Sequence, residues 1–127
     1  MIMKVSKLFI PIYEWKVTMV EVESPEDAIP ITRMLKKINT DQEVVDEVND
    51  KVKREVNAGV TFTCWGTKQF LIIIYKNKNL VEKYNTIYHE LRHVVDDILD
   101  FTKIKDNEAA AYLQGYVISS ILKDRLK

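Results

Sequence analysis

The chain reads as one small α+β domain, with an antiparallel or mixed sheet of three to four strands packed against helices. Three observations carry this reading. Runs rich in β-branched and aromatic residues occupy 4–22 and 60–75. Helical spacing of apolar residues, with caps and breakers at the right ends, occupies the rest. A length of 127 residues suits one hydrophobic core and is short for two.

Between Lys4 and Val22, Trp15, Val17 and Met19 alternate with Lys16, Thr18 and Val20, which predicts one or two strands. Pro11 has no amide donor and belongs at an edge, a bulge or a break between strands. Ser24-Pro25-Glu26-Asp27 offers an N-cap, an early proline and first-turn acids ahead of Ile31, Met34, Leu35 and Ile38. A helix starts there, with Pro30 as a possible interruption. A second helix spans about Asp41 to Val56, with Val44, Val45, Val48, Val52 and Val56 as a thin apolar stripe that suits a surface position.

Ala58-Gly59 is read as the stop of that helix. The runs Val60 to Trp65 and Gln69 to Tyr75, separated by Gly66-Thr67-Lys68, predict a hairpin. Phe70 to Tyr75 is apolar on both faces, so it should be an inner strand covered on both sides. Two helices close the chain, from about Asn79 to Asp100 and from the N-cap Asp106 to about Leu126.

With 46% hydrophobic and 30% charged residues the composition is that of a folded chain. Lys plus Arg and Asp plus Glu both number 19, so the whole molecule exerts no net pull on nucleic acid or an anionic membrane. Neither partner is expected, although neutrality is compatible with a local patch. The lone Cys64 has no intramolecular disulfide partner, which points to a reducing, cytoplasmic setting. Leu8 to Tyr13 reads as a strand rather than a signal peptide, and Phe70 to Tyr75 is too short to span a bilayer.

The chemistry concentrates in His89-Glu90-Leu91-Arg92-His93. Residues four apart on a helix share a face, so the two imidazoles can converge on one zinc ion. Glu90 projects about 100° further round the helix, where it serves as a general base rather than a ligand. Two histidines placed at random fall four apart, with Glu after the first, roughly once in a thousand chains of this length. The core stripe of this helix is Leu91, Val94, Val95 and Ile98, preceded by Tyr84 and Ile87. The histidines share the polar side with Glu82, Thr86, Asp96, Asp97 and Asp100, so a merely solvated face is the competing reading.

A catalytic zinc takes three protein ligands and keeps one position open. There is no third histidine. A glycine turn three residues after His93, with a ligand three further on, is ruled out by Asp96 and Leu99. The remaining route is a carboxylate on the next helix. Glu108, with fourteen residues between it and His93, is the best candidate.

His89 to Asp97 and Asn107-Glu108-Ala109 together resemble the two motifs of thermolysin-like gluzincins, whose third zinc ligand is the Glu of Asn-Glu-Ala. The resemblance covers about the last third of the chain. More distantly, the strand, hairpin and two-helix layout is similar to minimal zincin domains of phages and mobile elements. It implies a zincin-like domain with an active-site helix and a C-terminal glutamate helix, zinc on His89, His93 and Glu108, and a peptide or protein substrate. Tyr112 stands where gluzincins often carry an Asp that supports the first His, and a counterpart of the larger members' downstream helical domain is not expected here. Tyr112 or Tyr116 is the candidate to stabilise the transition state, and Gly115 the candidate for close approach of the two helices. Trp15 and Trp65 are candidates for lining the cleft, although aromatic residues on strands are more often core.

The expected activity is that of a zinc-dependent peptidase, in which zinc activates water, Glu90 accepts its proton, and an extended substrate adds to a sheet edge. Either the Val60–Trp65 run or the Trp15 strand could be that edge. The alternative is a zinc-binding, weakly active or inactive zincin-fold module used for protein interaction.

Overall fold

The structure, a computed structural model, describes residues 3–54, 58–77 and 79–127. Among them the chain forms β1 (Lys4–Ile10), β2 (Trp15–Glu21), a 3-10 turn (Pro25–Asp27), α1 (Ala28–Lys37), α2 (Gln42–Arg54), β3 (Gly59–Cys64), β4 (Gln69–Ile74), α3 (Leu80–Thr102) and α4 (Asn107–Arg125). One mixed four-stranded sheet has the order β1-β2-β4-β3. The β1–β2 and β3–β4 pairs are antiparallel hairpins, and β2 and β4 run parallel.

Alternation along the strands sends apolar side chains to both faces, so helices pack on both. On one face Trp15, Val17, Met19, Phe70, Ile72 and Ile74 meet Ile87, Leu91, Val94 and Ile98 of α3 and Leu113, Val117 and Ile121 of α4. On the other, Val20, Val22, Leu71, Ile73 and Tyr75 meet Ile31 and Leu35 of α1 and Val45, Val48 and Val52 of α2. β4 is the inner strand expected from its unbroken apolar run, buried from Phe70 to Tyr75. Val56, placed in the second helix from sequence, lies outside the described residues.

Several local expectations change. Pro30 does not interrupt a helix: it sits in the first turn of α1, where its missing amide is one the helix does not use. Asp27 organises the entry instead, its carboxylate accepting from the amides of Glu23 (2.7 Å) and Ser24 (3.0 Å). Gly59 is the first residue of β3, with no left-handed φ. A Cβ there would lie 2.9 Å from Thr86 Cγ2, 3.0 Å from Glu90 Cγ and 3.1 Å from the Ile73 carbonyl. Close packing of β3 against α3 accounts for a glycine at this position. Gly115 is the converse: it is exposed, and a Cβ would meet nothing within 4 Å. The Trp15 strand is internal, between β1 and β4, so the edges are β1 and β3.

One buried charged group holds α4 in place. Glu21 on β2, 1% exposed, accepts from Arg125 Nε at 2.9 Å and Nη2 at 3.0 Å. Lys83 Nζ lies 3.5 Å from Glu21, and Arg125 Nη1 donates to the Tyr84 hydroxyl at 3.1 Å. The bidentate bond that Arg125 donates to Glu21 raises the affinity of the guanidinium for its proton further. No helix in the described residues is long and apolar enough to cross a membrane.

Candidate metal centre

α3 starts at Asn79, whose side chain accepts from the Glu82 amide at 2.9 Å, and runs for 23 residues to a left-handed Lys103. Its apolar stripe, Ile87, Leu91, Val94, Val95 and Ile98, is fully buried. Arg92 reaches across to Gln114 of α4. The opposite flank meets β3, and between that flank and solvent stand His89 and His93, both exposed.

The two imidazoles bring their Nε2 atoms to 3.3 Å, with ring planes at 88°. Two nitrogens bound to one zinc at ~2.0–2.1 Å in a tetrahedral arrangement lie ~3.3–3.4 Å apart. The pair is thus spaced as zinc would space it. The ligating atoms of His89, Glu90 and His93 all fall within 4.8 Å of one another, the only such group of three His, Cys, Asp or Glu among the described residues.

Glu90 differs from both histidines in being buried, at 5% exposure. Thr61 of β3 donates its hydroxyl to Glu90 Oε1 at 2.8 Å, and Gly59 leaves room for the Glu90 side chain. Two strand residues on, Thr63 donates to Asp97 Oδ2 at 2.6 Å. Gly59, Thr61 and Thr63 share one face by strand alternation, so β3 is keyed to α3 by a glycine and two hydroxyls. Sequence reading did not single out either threonine. The signal was present in Gly59-Val60-Thr61-Phe62-Thr63, where small or hydroxylated residues alternate with large apolar ones.

Glu108 and Tyr112 are not brought into this group. α3 continues to Thr102, nine residues past His93, or ~13 Å along the axis. α4 therefore begins near the far end of α3. Asp106 caps it by accepting from the Glu108 amide at 2.9 Å, leaving the Glu108 side chain exposed in the first turn. The Arg92–Gln114 bond sets the two helices in register, putting the middle of α4, not its start, level with the histidines. Tyr112, 77% exposed, lines with Tyr116, Ile12 and Tyr13 an apolar groove between α4 and the β1–β2 turn. Trp15 is fully buried, whereas Trp65 is 44% exposed and packs edge-on to it at 5.8 Å. Burial raises the pKa of the Cys64 thiol, which keeps it protonated at neutral pH.

No family model, no curated protein and no solved structure matches this chain.

Proposed function

We propose that this protein is a zincin-like metallopeptidase that holds zinc on His89 and His93 and uses Glu90 as general base. The observation that carries the reading is the 3.3 Å Nε2–Nε2 spacing beside a buried, hydroxyl-held carboxylate. The donor set, two imidazoles with a carboxylate alongside, suits zinc better than magnesium or calcium, which favour all-oxygen sites. Glu108 is proposed as the third ligand, which requires α4's first turn to swing toward the histidines when the ion is present.

Zinc, when bound, supplies acidification of a water molecule and polarisation of a peptide carbonyl. The remaining work falls to the chain. Glu90 takes the proton from the attacking water, and the Thr61 hydroxyl fixes the carboxylate's rotamer, leaving one oxygen for that proton. β3, the edge nearest the centre, offers its outer backbone to an extended peptide.

A second reading, a zinc-binding interaction module of low or no activity, is favoured by a specific observation. Tyr112, the candidate for stabilising the transition state, faces the groove beside the β1–β2 turn. Native mass spectrometry of the purified protein should find one zinc per chain, lost in His89→Ala. Glu90→Gln should keep that zinc and abolish cleavage of a confirmed substrate, with the loss in kcat more than in KM. Stoichiometric zinc with equal turnover by wild type and Glu90→Gln would eliminate the general-base assignment.

A further inference from the structure

Half of one sheet face has no helix over it. α1 and α2 cover Val20, Val22, Leu71, Ile73 and Tyr75. The remainder of that face carries Lys7 and Phe9 from β1, Lys16 and Thr18 from β2, and Gln69 from β4. The register makes them neighbours: Lys7 opposes Thr18, Phe9 opposes Lys16, and Lys16 opposes Gln69. A hollow of ≈ 500 Å³ is lined by these residues. A second, of ≈ 250 Å³, shares Lys7, Thr18 and Gln69 and extends to Lys37 in the last turn of α1.

Neither hollow is lined by an Asp or Glu. Among the described residues none of the three lysines forms an ion pair. In a chain with 19 basic and 19 acidic residues, the charged side chains lining these hollows are all lysines, and the Asp124 carboxylate stands outside them at the β1 edge, on the Lys7 amide. On the edge strand β1, Phe9 is 48% exposed, flanked by Lys7 two residues along the strand and by Lys16 across from it on β2.

We infer that this open sheet face binds single-stranded nucleic acid. Lysines meet phosphates, Phe9 stacks on a base, and Thr18 and Gln69 supply hydrogen-bonding groups between them. Charge complementarity selects an anionic ligand. An exposed aromatic ring beside two lysines in a hollow selects, among anions, one that alternates phosphate with a π-face. An acidic peptide would leave Phe9 unused, and an anionic membrane is poorly matched to a single ring within a hollow. The inference is independent of the metal centre, which lies on α3 across the sheet.

The test is fluorescence anisotropy of a labelled twenty-residue oligothymidylate with the full chain. Neutralising three phosphates predicts a log–log salt slope of about −2, so affinity should fall about 20-fold between 50 and 200 mM salt. Lys16→Ala should reduce the slope by about 0.7 and weaken binding. Phe9→Ala should weaken it about tenfold with the slope unchanged, and Phe9→Trp should restore it. Lys123→Ala, an exposed α4 lysine that lines neither hollow, should bind as wild type. These positions are exposed, and unchanged circular dichroism confirms that the variants fold. Absence of binding at 50 mM salt would overturn the inference. So would binding that Phe9→Ala leaves intact while heparin or phosphatidylserine vesicles compete equally, since that defines a charge-only surface.

Discussion

The two edges of the sheet are finished in opposite ways. At the β1 edge α4 packs alongside, and the outward amide of Lys7 donates to Asp124 Oδ2 at 2.7 Å. Behind it the buried Glu21–Arg125 pair fixes the same helix turn. At the β3 edge, no described residue hydrogen-bonds the outer backbone. That strand is secured from below, by Thr61 and Thr63 on the carboxylates of α3. Unpaired edges invite strand addition, so one edge is blocked by a charged helix end and the other is left available beside His89, Glu90 and His93. The blocked edge serves stability. The available edge serves the proposed peptide site.

The strongest way to break the contrast is to remove the charge that anchors the closed edge. Glu21→Ala leaves Arg125 and Lys83 without their buried counter-charge, and should destabilise the protein by about 3–5 kcal/mol in urea denaturation. The mechanism is desolvation of an unpaired guanidinium, so Arg125→Met with Glu21→Gln should recover part of the loss. A loss below about 1 kcal/mol for Glu21→Ala would show that the network adds little to the closed edge.

At the open edge the largest lever is the ion. If zinc binds only the folded chain, protein held at a hundred times its Kd in zinc gains about 2.7 kcal/mol, and chelation should remove it. His93→Ala should show no zinc-dependent gain. Glu108→Ala should behave likewise if α4 delivers the third ligand, whereas Asp100→Ala should keep the full effect. Equal melting curves with and without chelator, after verified metal removal, would eliminate the zinc site.

What could be read from sequence divides along the same lines. The β3–β4 hairpin, the inner β4 and the convergence of His89 and His93 were legible because each depends on spacing within one element, fixed at two or 3.6 residues per repeat. Glu108 depended on where one helix stops and the next starts. α3 ran past the expected end at Asp100, through Phe101 and Thr102, and turned at Lys103, a residue with no sequence mark of a left-handed cap. Glu21 carries no mark in the sequence that sets it apart from other strand-end acids. Only its pairing with Arg125, 104 residues away, makes it core. The alternation around the β3 threonines is readable in the sequence, but that Glu90 and Asp97 are their acceptors follows only once α3 is known to lie beneath them.

A smaller effect sharpens the description of the open edge. Thr61→Val keeps the shape of the side chain but leaves Glu90 Oε1 without its donor in a buried position, which should cost about 1.5–3 kcal/mol if the carboxylate is ionised. Thr61→Ser retains the hydroxyl and should lose less than half of that. Zinc stoichiometry should be unchanged in both, because Thr61 touches Glu90 and not the histidines. Loss of zinc in Thr61→Val would mean that Glu90 belongs to the ligand set.

The smallest expected effect lies back at the closed edge. Asp124→Ala removes the acceptor of the Lys7 amide, but the bond is exposed, so water replaces it and stability should fall by only about 0.5–1.5 kcal/mol. Glu21–Arg125 remains and keeps α4 seated. The informative readout is therefore association rather than melting: with Lys7 uncovered, β1 becomes a second unblocked edge. Concentration-dependent sedimentation should reveal self-association stronger than the wild type's, and Lys7→Pro in the same background should suppress the increase by deleting the donor. A monomeric Asp124→Ala at concentrations where the wild type is also monomeric would show that α4 shields β1 by its bulk, and that the carboxylate contributes only its hydrogen bond.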